Sequence, residues 1–283
     1  MRTYLDCIPC FLKQTLNTGR IATQDETKIR KMLDAIGDQI KSFPPSATPP
    51  EMGQIIYKTI RDISGVDDPY KAQKASHIQQ ALAIFPSLQD IMAQADDKLL
   101  TAIRIAIAGN IMDLGMEKSF DLKNDLDKIL HQKMAICDIQ NFKSQLNKAN
   151  VILYLGDNSG ESVFDRILIE AMNKQVTYVV RDKPVINDVT YADAIASGID
   201  SIADIISSGS DAPGTFVERC SPEFQQLIKK ADLIISKGQG NFESLSETNL
   251  PVFFLLKAKC PVIANHLGVL EDDIILKQSN FFA

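Results

Sequence analysis

The spacing of apolar residues changes once along the chain, close to residue 148. Before that point apolar residues recur at intervals of three and four, which predicts amphipathic helices. Thr23 and Glu26 have the spacing of a capping box, as do Thr48 and Glu51. Further helices are expected at 70–84, 97–114, 122–132 and 139–149. Because this half carries no strand pattern, we expect residues 1–148 to form a helical domain.

Residues 149–283 instead alternate short apolar runs with helical segments. Runs rich in Val, Ile, Leu and Phe predict strands at 151–155, 176–180, 233–236 and 252–256, and two further candidates lie at 202–206 and 261–264. Amphipathic segments at 162–173, 188–197 and 222–230 separate them. Strands that alternate with helices favour a parallel sheet with right-handed crossovers. We therefore expect a second, α/β domain over 149–283.

Polar residues directly follow three of the predicted strands. Asp157 and Asn158 come after the first strand. Arg181, Asp182 and Lys183 follow the second, with Asn187 and Asp188 at the next helix start, and Lys237 begins a KGQGN segment after the third. The carboxyl ends of parallel strands lie along one edge of a sheet, where ligands of open α/β folds bind. We expect these residues, distant in the chain, to converge there.

The segment GDNSGE at 156–161 suggests a site for a cation and a phosphate. Carboxylate and amide oxygens of Asp157 and Asn158 suit a hard divalent cation. Gly160 and the following helix start would admit an anion close to the backbone. The alternative is a tight turn with a helix cap. The spacing matches neither GxxxxGK[ST] nor GxGxxG, which argues against nucleotide binding of those types.

The remaining motifs each have a structural alternative. Asp188 would add a third oxygen ligand or merely cap a helix, and Lys237 would meet a phosphate or merely form a turn. Asn110 and Asp113 lie one turn apart on a helix and indicate either a polar face or a pocket wall. Cys7 and Cys10 form a CxxC motif without a second pair, so we favour an apolar helix start over a redox or metal role.

Composition and charge narrow the class of protein. The chain has 283 residues, of which 45% are hydrophobic and 23% charged, an ordinary balance for a globular protein. A net charge of −6 argues against a nucleic-acid partner or an anionic membrane surface. A signal peptide and a long apolar run are both lacking, and five cysteines favour reduced thiols. We expect a cytoplasmic location, and the sequence leaves the oligomeric state open.

Five motifs in a fixed order resemble those of a known family. They are CxxC at 7–10, AGNIMD at 108–113, GDNSGE at 156–161, NDVT at 187–190 and KGQGN at 237–241. The set resembles the CxxC-bearing microbial branch of the metal-dependent damage-control phosphatases, first catalogued as a domain of unknown function. Each motif alone is weak, whereas the ordered set spans nearly the whole chain.

The resemblance implies a helical part packed on a Rossmann-like α/β/α core, and it implies residue roles. Asp157, Asn158 and Asp188 would hold one divalent metal ion, either Mn, Co, Ni or Mg, and Lys237 would reach the substrate phosphate. We therefore expect a metal-dependent phosphatase acting on small phosphorylated metabolites, such as sugar phosphates or side products, with Asp157, Asn158 and Lys237 as catalytic residues. The expected substrate-binding residues are Asn110, Asp113, Gly160, Glu161, Lys237 and Gly238.

Two alternatives from other classes stay open at this point. One is an S-adenosylmethionine-dependent carboxyl methyltransferase, in which GDNSGE would serve as the glycine-rich loop and Asp182 would hold a ribose. The other is a noncatalytic protein that binds a phosphorylated metabolite. Whether water or an aspartate would attack the phosphorus is likewise open.

Overall fold

The computed structural model describes residues 1–110 and 122–282, and helices make up most of its first part. In chain order these helices are α1 Cys7–Ala22, α2 Glu26–Ser42, α3 Pro49–Ser64, α4 Lys71–Gln94, α5 Lys98–Ala108, α6 Leu122–His131 and α7 Ile139–Lys148. All the helices predicted for this half are present, although several of their ends differ.

The start of α2 corrects one prediction. The capping box expected from Thr23 and Glu26 is wrong, because the side chain of Asp25 accepts hydrogen bonds from the backbone N–H groups of Thr27 and Lys28. An aspartate at this position both satisfies unpaired N–H groups and interacts favourably with the helix dipole.

The ends of α3, α4 and α5 follow local signals to different degrees. Thr48 and Glu51 form the predicted capping box of α3, and Gly65, with φ +76°, ends that helix. Helix α4 continues to Gln94, ten residues beyond the predicted end, with Pro86 inside it. Helix α5 ends at Ala108, and the rest of its predicted range from 111 to 114 lies outside the described residues.

Seven strands of the described residues form one sheet in the order β1-β7-β6-β5-β2-β3-β4. Neighbouring strands run parallel except β6 and β7, which pair antiparallel. The strands are β1 Ile136–Cys137, β2 Ile152–Leu155, β3 Thr177–Val180, β4 Asp204–Ser207, β5 Leu233–Lys237, β6 Val252–Lys257 and β7 Ile274–Gln278. The four main predicted strands are confirmed, and β4 overlaps the candidate at 202–206.

Three strand predictions are corrected. The candidate at 261–264 belongs instead to helix α12, Pro261–Leu267, because Pro261 occupies the first helical turn. Strand β7 was not predicted, and its antiparallel pairing departs from the expected parallel sheet. Strand β1 lies in the half predicted to be free of strands. It was missed because a strand of two residues is too short to show an alternating pattern in the sequence.

Helices cover both faces of the sheet, as the α/β/α prediction requires. The helices of the second half are α8 Glu161–Met172, α9 Tyr191–Ala196, α10 Pro222–Ile228, α11 Gln239–Leu245 and α12. Ile152 and Tyr154 of β2 pack in an apolar cluster with α4, α5, α7 and α8. Leu153 and Leu155, which alternate with them, pack on the other face with α10, α11 and α12.

The helical part is divided between two environments. Helices α1, α2 and α3 enclose their own apolar cluster around Met32, Ile36 and Ile56. Helices α4 and α5 instead contribute to the core against α8. The division at residue 148 therefore stays a prediction, as does a cytoplasmic location. Within the described ranges, each helix is too short or too polar to cross a membrane.

Candidate active site

The polar residues that follow the strands meet at the point where the strand order of the sheet reverses. Strands β2, β3 and β4 extend in one direction and β5, β6 and β7 in the other, so the switch point lies between β2 and β5. A cavity of about 660 Å³ opens at this point, with α1 and α3 forming its opposite wall. Asp157, Asn158 and Asp188 all line it, and we refer to these three residues as the oxygen triad.

Backbone contacts hold the oxygen triad together. Asn158 and Asp188 form an isolated antiparallel bridge, and the N–H of Val189 donates to the carbonyl oxygen of Asp157 at 2.7 Å. Gly238, with φ +79°, lies so close that a Cβ atom there would overlap the carboxylate of Asp157. The structure thus brings together residues that are about 30 and 80 positions apart, as expected from the strand ends.

The amide of Asn158 is oriented by a buried glutamate. Its Nδ2 donates to Glu161 Oε1 at 2.7 Å and to Asp157 Oδ2 at 3.3 Å. No N–H or O–H group of the described residues donates to its Oδ1, which is the atom a cation would use. Asn110 Nδ2 also donates to Glu161 Oε1, at 2.6 Å. Asn110 and Glu161 therefore act on Asn158 from behind the cavity wall.

Lys237 does not line the cavity, contrary to the expectation of a phosphate contact. Its ammonium is almost completely buried and donates to Ala106 O at 2.8 Å, Asp165 Oδ1 at 2.7 Å and Glu161 Oε2 at 3.2 Å. These three bonds use all the donors of an ammonium group. Desolvation alone would lower the pKa of Lys237, but the charges of Asp165 and Glu161 outweigh it and raise the pKa.

Asp165 completes this buried network and was not predicted. The hydroxyl groups of Tyr154 and Tyr178 donate to its two carboxylate oxygens at 2.7 and 2.8 Å. Burial, followed by the charge of Asp165, raises the pKa of both tyrosines. Asp165 lies four residues after Glu161 on α8, so helical spacing placed both carboxylates on one face.

Arg181, which the sequence predicted at this edge of the sheet without a specific role, fixes Asp188. Its Nε donates to Asp188 Oδ2 at 2.8 Å, and both side chains are buried. Its Nη1 donates to Gly214 O and Thr215 Oγ1, and its Nη2 to Asn241 Oδ1 at 3.0 Å. One guanidinium therefore connects the segment after β3, the loop before residue 216 and the start of α11.

Two ion pairs tie the loops of this edge to the helical part. The ammonium of Lys74 in α4 donates to Asp193 Oδ2 at 2.9 Å, and the same oxygen accepts from the hydroxyl of Thr190 at 2.6 Å. In α3, Arg61 donates to Asp211 Oδ2 at 2.7 Å. The segment that carries Asp188 is thus held against α4, and the loop after β4 against α3.

The other predicted residues have varied positions. Gly160 is the N-cap of α8, and Gly238 precedes α11, a helix that the sequence suggested only as a turn. Asp113 lies outside the described residues. Cys7 and Cys10 begin α1, as expected, and both line the cavity. Burial raises the pKa of both thiols.

The donor chemistry of the oxygen triad fits a divalent cation. Two carboxylates and an amide oxygen are hard ligands of the kind that Mg²⁺ and similar ions prefer. Within the described ranges, no group of three His, Cys, Asp or Glu side chains is arranged to hold a metal ion. The protein would therefore supply part of a coordination shell, with water and substrate supplying the rest.

Comparison with known proteins identifies the family. The family model for the damage-control phosphatase ARMT1-like domain matches residues 3–275. The chain belongs to this family. The resemblance carried by the five motifs is confirmed, and membership in the damage-control phosphatase family supports an enzyme of phosphatase type.

Named relatives cover nearly the whole length of the chain. The damage-control phosphatase PH1575 of Pyrococcus horikoshii is 34% identical over 99% of both chains. A damage-control phosphatase of Archaeoglobus fulgidus is 31% identical over 96% of this chain and 97% of its own. The crystal structure of a DUF89 family protein from P. horikoshii matches with a TM-score of 0.89 at 32% identity, covering 99% of this chain and all of that chain. This match confirms the fold class.

Proposed function

We propose that this damage-control phosphatase domain is a metal-dependent phosphatase that releases phosphate from small phosphorylated metabolites, such as sugar phosphates or related side products. The observation that carries the proposal is the oxygen triad, gathered from two strand ends at the switch point and facing a cavity of about 660 Å³. That volume suits a small metabolite. The metal would be one ion of Mn, Co, Ni or Mg.

Each part of the site has a distinct task in this proposal. Asp157, Asn158 and Asp188 would hold the cation. When bound, the cation would neutralise phosphoryl charge and lower the pKa of a bound water. The first N–H groups of α8, after Gly160, would donate to phosphoryl oxygens. Such catalysis depends mainly on positioning and electrostatics.

Lys237 has an indirect task in this scheme. Its ammonium offsets the charges of Glu161 and Asp165, and Glu161 in turn orients the amide of Asn158. Lys237 would therefore be a positioning residue, since contact with a phosphate would require breaking one of its three bonds. Asn110 would support Glu161 in the same way.

Removal and return of metal tests the proposal. Protein treated with a chelator and then desalted should release no phosphate from 4-nitrophenyl phosphate or a panel of alkyl phosphates. Adding Mn²⁺, Co²⁺, Ni²⁺ or Mg²⁺ should restore turnover and raise the melting temperature. At a metal concentration 100 times the Kd, binding should stabilise the fold by about 2.7 kcal/mol. Undiminished turnover after chelation would contradict the metal role.

The same measurements separate the alternatives. A noncatalytic binder would be stabilised by metal and phosphate ester without releasing phosphate. A methyltransferase would release or absorb heat when titrated with S-adenosylmethionine in a calorimeter. The proposed phosphatase should show no heat of binding with this compound. The family assignment does not favour either alternative.

A second prediction concerns Arg181. Arg181→Lys keeps the positive charge but loses the forked donors that join Asp188 to Asn241 and the 214–215 loop. Metal affinity should fall by about 10- to 100-fold, as for other residues that orient ligands. Arg219→Lys, at an exposed pair with Glu51, is the matched control and should leave affinity unchanged. Titration with Mn²⁺ monitored by calorimetry measures the metal affinity of both variants and of the parent. If Arg181→Lys binds Mn²⁺ as tightly as the parent, Arg181 does not position a metal ligand.

A further inference from the structure

An acidic side chain of α11 lines the same cavity as the oxygen triad and has no part in holding it. Glu243 is 7% exposed and forms part of the cavity wall. Its Oε1 accepts a hydrogen bond from Gln239 Nε2 at 3.0 Å, while no described residue donates to its Oε2. One oxygen of this carboxyl group is thus anchored and the other is available to a molecule in the cavity.

The position of Glu243 relative to the triad follows from α11. Gly238 packs directly against the carboxylate of Asp157, and α11 begins with the next residue, Gln239. Glu243 is four residues further on, which is about 6 Å along a helix. A phosphoryl oxygen bound to a cation lies about 2 Å from it. Glu243 and the oxygen triad therefore line one cavity, at positions that a small phosphate ester can span.

Among the described residues, no Lys or Arg side chain pairs with the carboxyl group of Glu243. The backbone carbonyl of Glu243, not its carboxyl group, accepts from the amino group of Met1. Burial raises the pKa of Glu243 to about 7, partly opposed by the Gln239 bond and the Met1 amino group. The Oε1 atom of Gln239 is buried and has no partner among the described residues. The other titratable residues that line the cavity are Asp6, Cys7, Cys10, Tyr57, Tyr70, Asp157, Asp188, Lys259 and Cys260.

We propose that Glu243 is the general acid that protonates the leaving oxygen of the phosphate ester. The inference rests on the proposed function. A water attacks phosphorus as the P–O bond to the leaving group breaks, and the leaving oxygen takes the proton of the Glu243 carboxyl group. The products are an alcohol and inorganic phosphate. The proton lost by the attacking water balances the one that Glu243 regains from solvent before the next turnover.

Leaving groups of different basicity test this role. The leaving group of 4-nitrophenyl phosphate is 4-nitrophenolate, a stable anion that needs no acid. The alkoxide that leaves an alkyl phosphate is strongly basic and needs a proton. Glu243→Gln keeps the shape of the side chain and removes its proton donor. It should lower kcat on glycerol 3-phosphate or a hexose phosphate by about 10²- to 10⁴-fold. Its kcat on 4-nitrophenyl phosphate should change by less than tenfold.

Glu247→Gln is the matched control, because Glu247 lies one turn further on, is 76% exposed and is not part of the cavity wall. It should leave both rates unchanged. The rise in melting temperature on adding Mn²⁺ should be the same in Glu243→Gln and the parent, which shows that the fold and the oxygen triad are intact. Equal losses on both substrates would overturn the proposal in favour of a binding or structural role.

The pH dependence gives a test that needs no variant. Because the protonated form donates, the ratio of alkyl to aryl turnover in the parent should fall as the pH rises through about 7. The ratio removes the effect of metal binding, which both substrates share, and each rate is corrected for the separately measured ionisation of its own phosphate monoester. A flat ratio, or a parent that hydrolyses only aryl phosphates, would refute the general acid. If the parent hydrolyses neither substrate with any metal, the proposed function itself fails.

Discussion

Replacing Asp157 with asparagine should reduce metal-stimulated phosphate release by about 10³-fold. The carboxylate of Asp157 is packed against Gly238 and faces the cavity beside Asn158 and Asp188. Asparagine has the same shape but lacks the charge that attracts a divalent cation. Steady-state phosphate release at saturating Mn²⁺, together with a Mn²⁺ titration, measures the effect. The unfolding midpoint of the metal-free protein should change little.

Asp182→Asn is the control for this experiment. Asp182 follows β3 at the same edge of the sheet, but its carboxylate is exposed and bonded to Ser207 outside the cavity. This variant should keep full activity. If Asp157→Asn instead hydrolyses 4-nitrophenyl phosphate at the parental rate, the oxygen triad is not the metal site.

Replacing Lys237 with methionine should destabilise the fold by about 3–5 kcal/mol, because breaking a buried ion pair leaves uncompensated charge. Two carboxylates, those of Glu161 and Asp165, would stay buried without their shared ammonium. Urea unfolding monitored by circular dichroism measures the loss.

Lys257→Met provides the comparison for Lys237→Met. Lys257 ends β6 and pairs with Asp272, whose side chain is 74% exposed. Because the Asp272 carboxylate stays solvated when Lys257 is replaced, no buried charge is left unpaired, and this variant should lose at most about 1 kcal/mol. If Lys237→Met is stable and shows only a raised KM, the result would instead support the direct contact between Lys237 and phosphate that was expected from the sequence.

The assembly of the oxygen triad was predictable, because its residues lie between a buried strand and the helix that follows it. Asp157 and Asn158 lie between β2 and α8, and Asp188 lies between β3 and α9. Parallel strands bring such ends to one edge whatever the loops between them do. Loop conformation, helix ends and the antiparallel β7 depend on tertiary contacts that local periodicity does not record.

The role of Lys237 could have been read from strand alternation. Leu233 and Ile235 of β5 point to the face covered by α5 and α8. Side chains two residues apart share a face, so Lys237 points there too, away from the cavity edge. The prediction treated Lys237 as part of the glycine-rich turn that follows, whereas Lys237 is the last residue of β5. Asp165 was detectable in the same way, by its helical spacing from Glu161.

The sequence places Arg181 directly after a buried strand, but its partners were not detectable from local sequence. Its partners come from residues 188, 214–215 and 241, which only the folded chain brings within reach. The predicted helix after 188 also begins later, at Tyr191, because the preceding residues bridge back to Asn158. A single sequence does not contain the distances that join these segments.

The ties from Lys74 to Asp193 and from Arg61 to Asp211 limit how the enzyme can evolve. Helix α3 lines the cavity, and α3 and α4 together hold in place the segments that carry or adjoin Asp188. Any substitution that moves α3 or α4 outward to admit bulkier compounds would also loosen the geometry needed for turnover. A change that admits larger esters should therefore also lower the turnover rate. Adaptation to new compounds should instead proceed through side-chain substitutions on α1, which forms neither of these ion pairs.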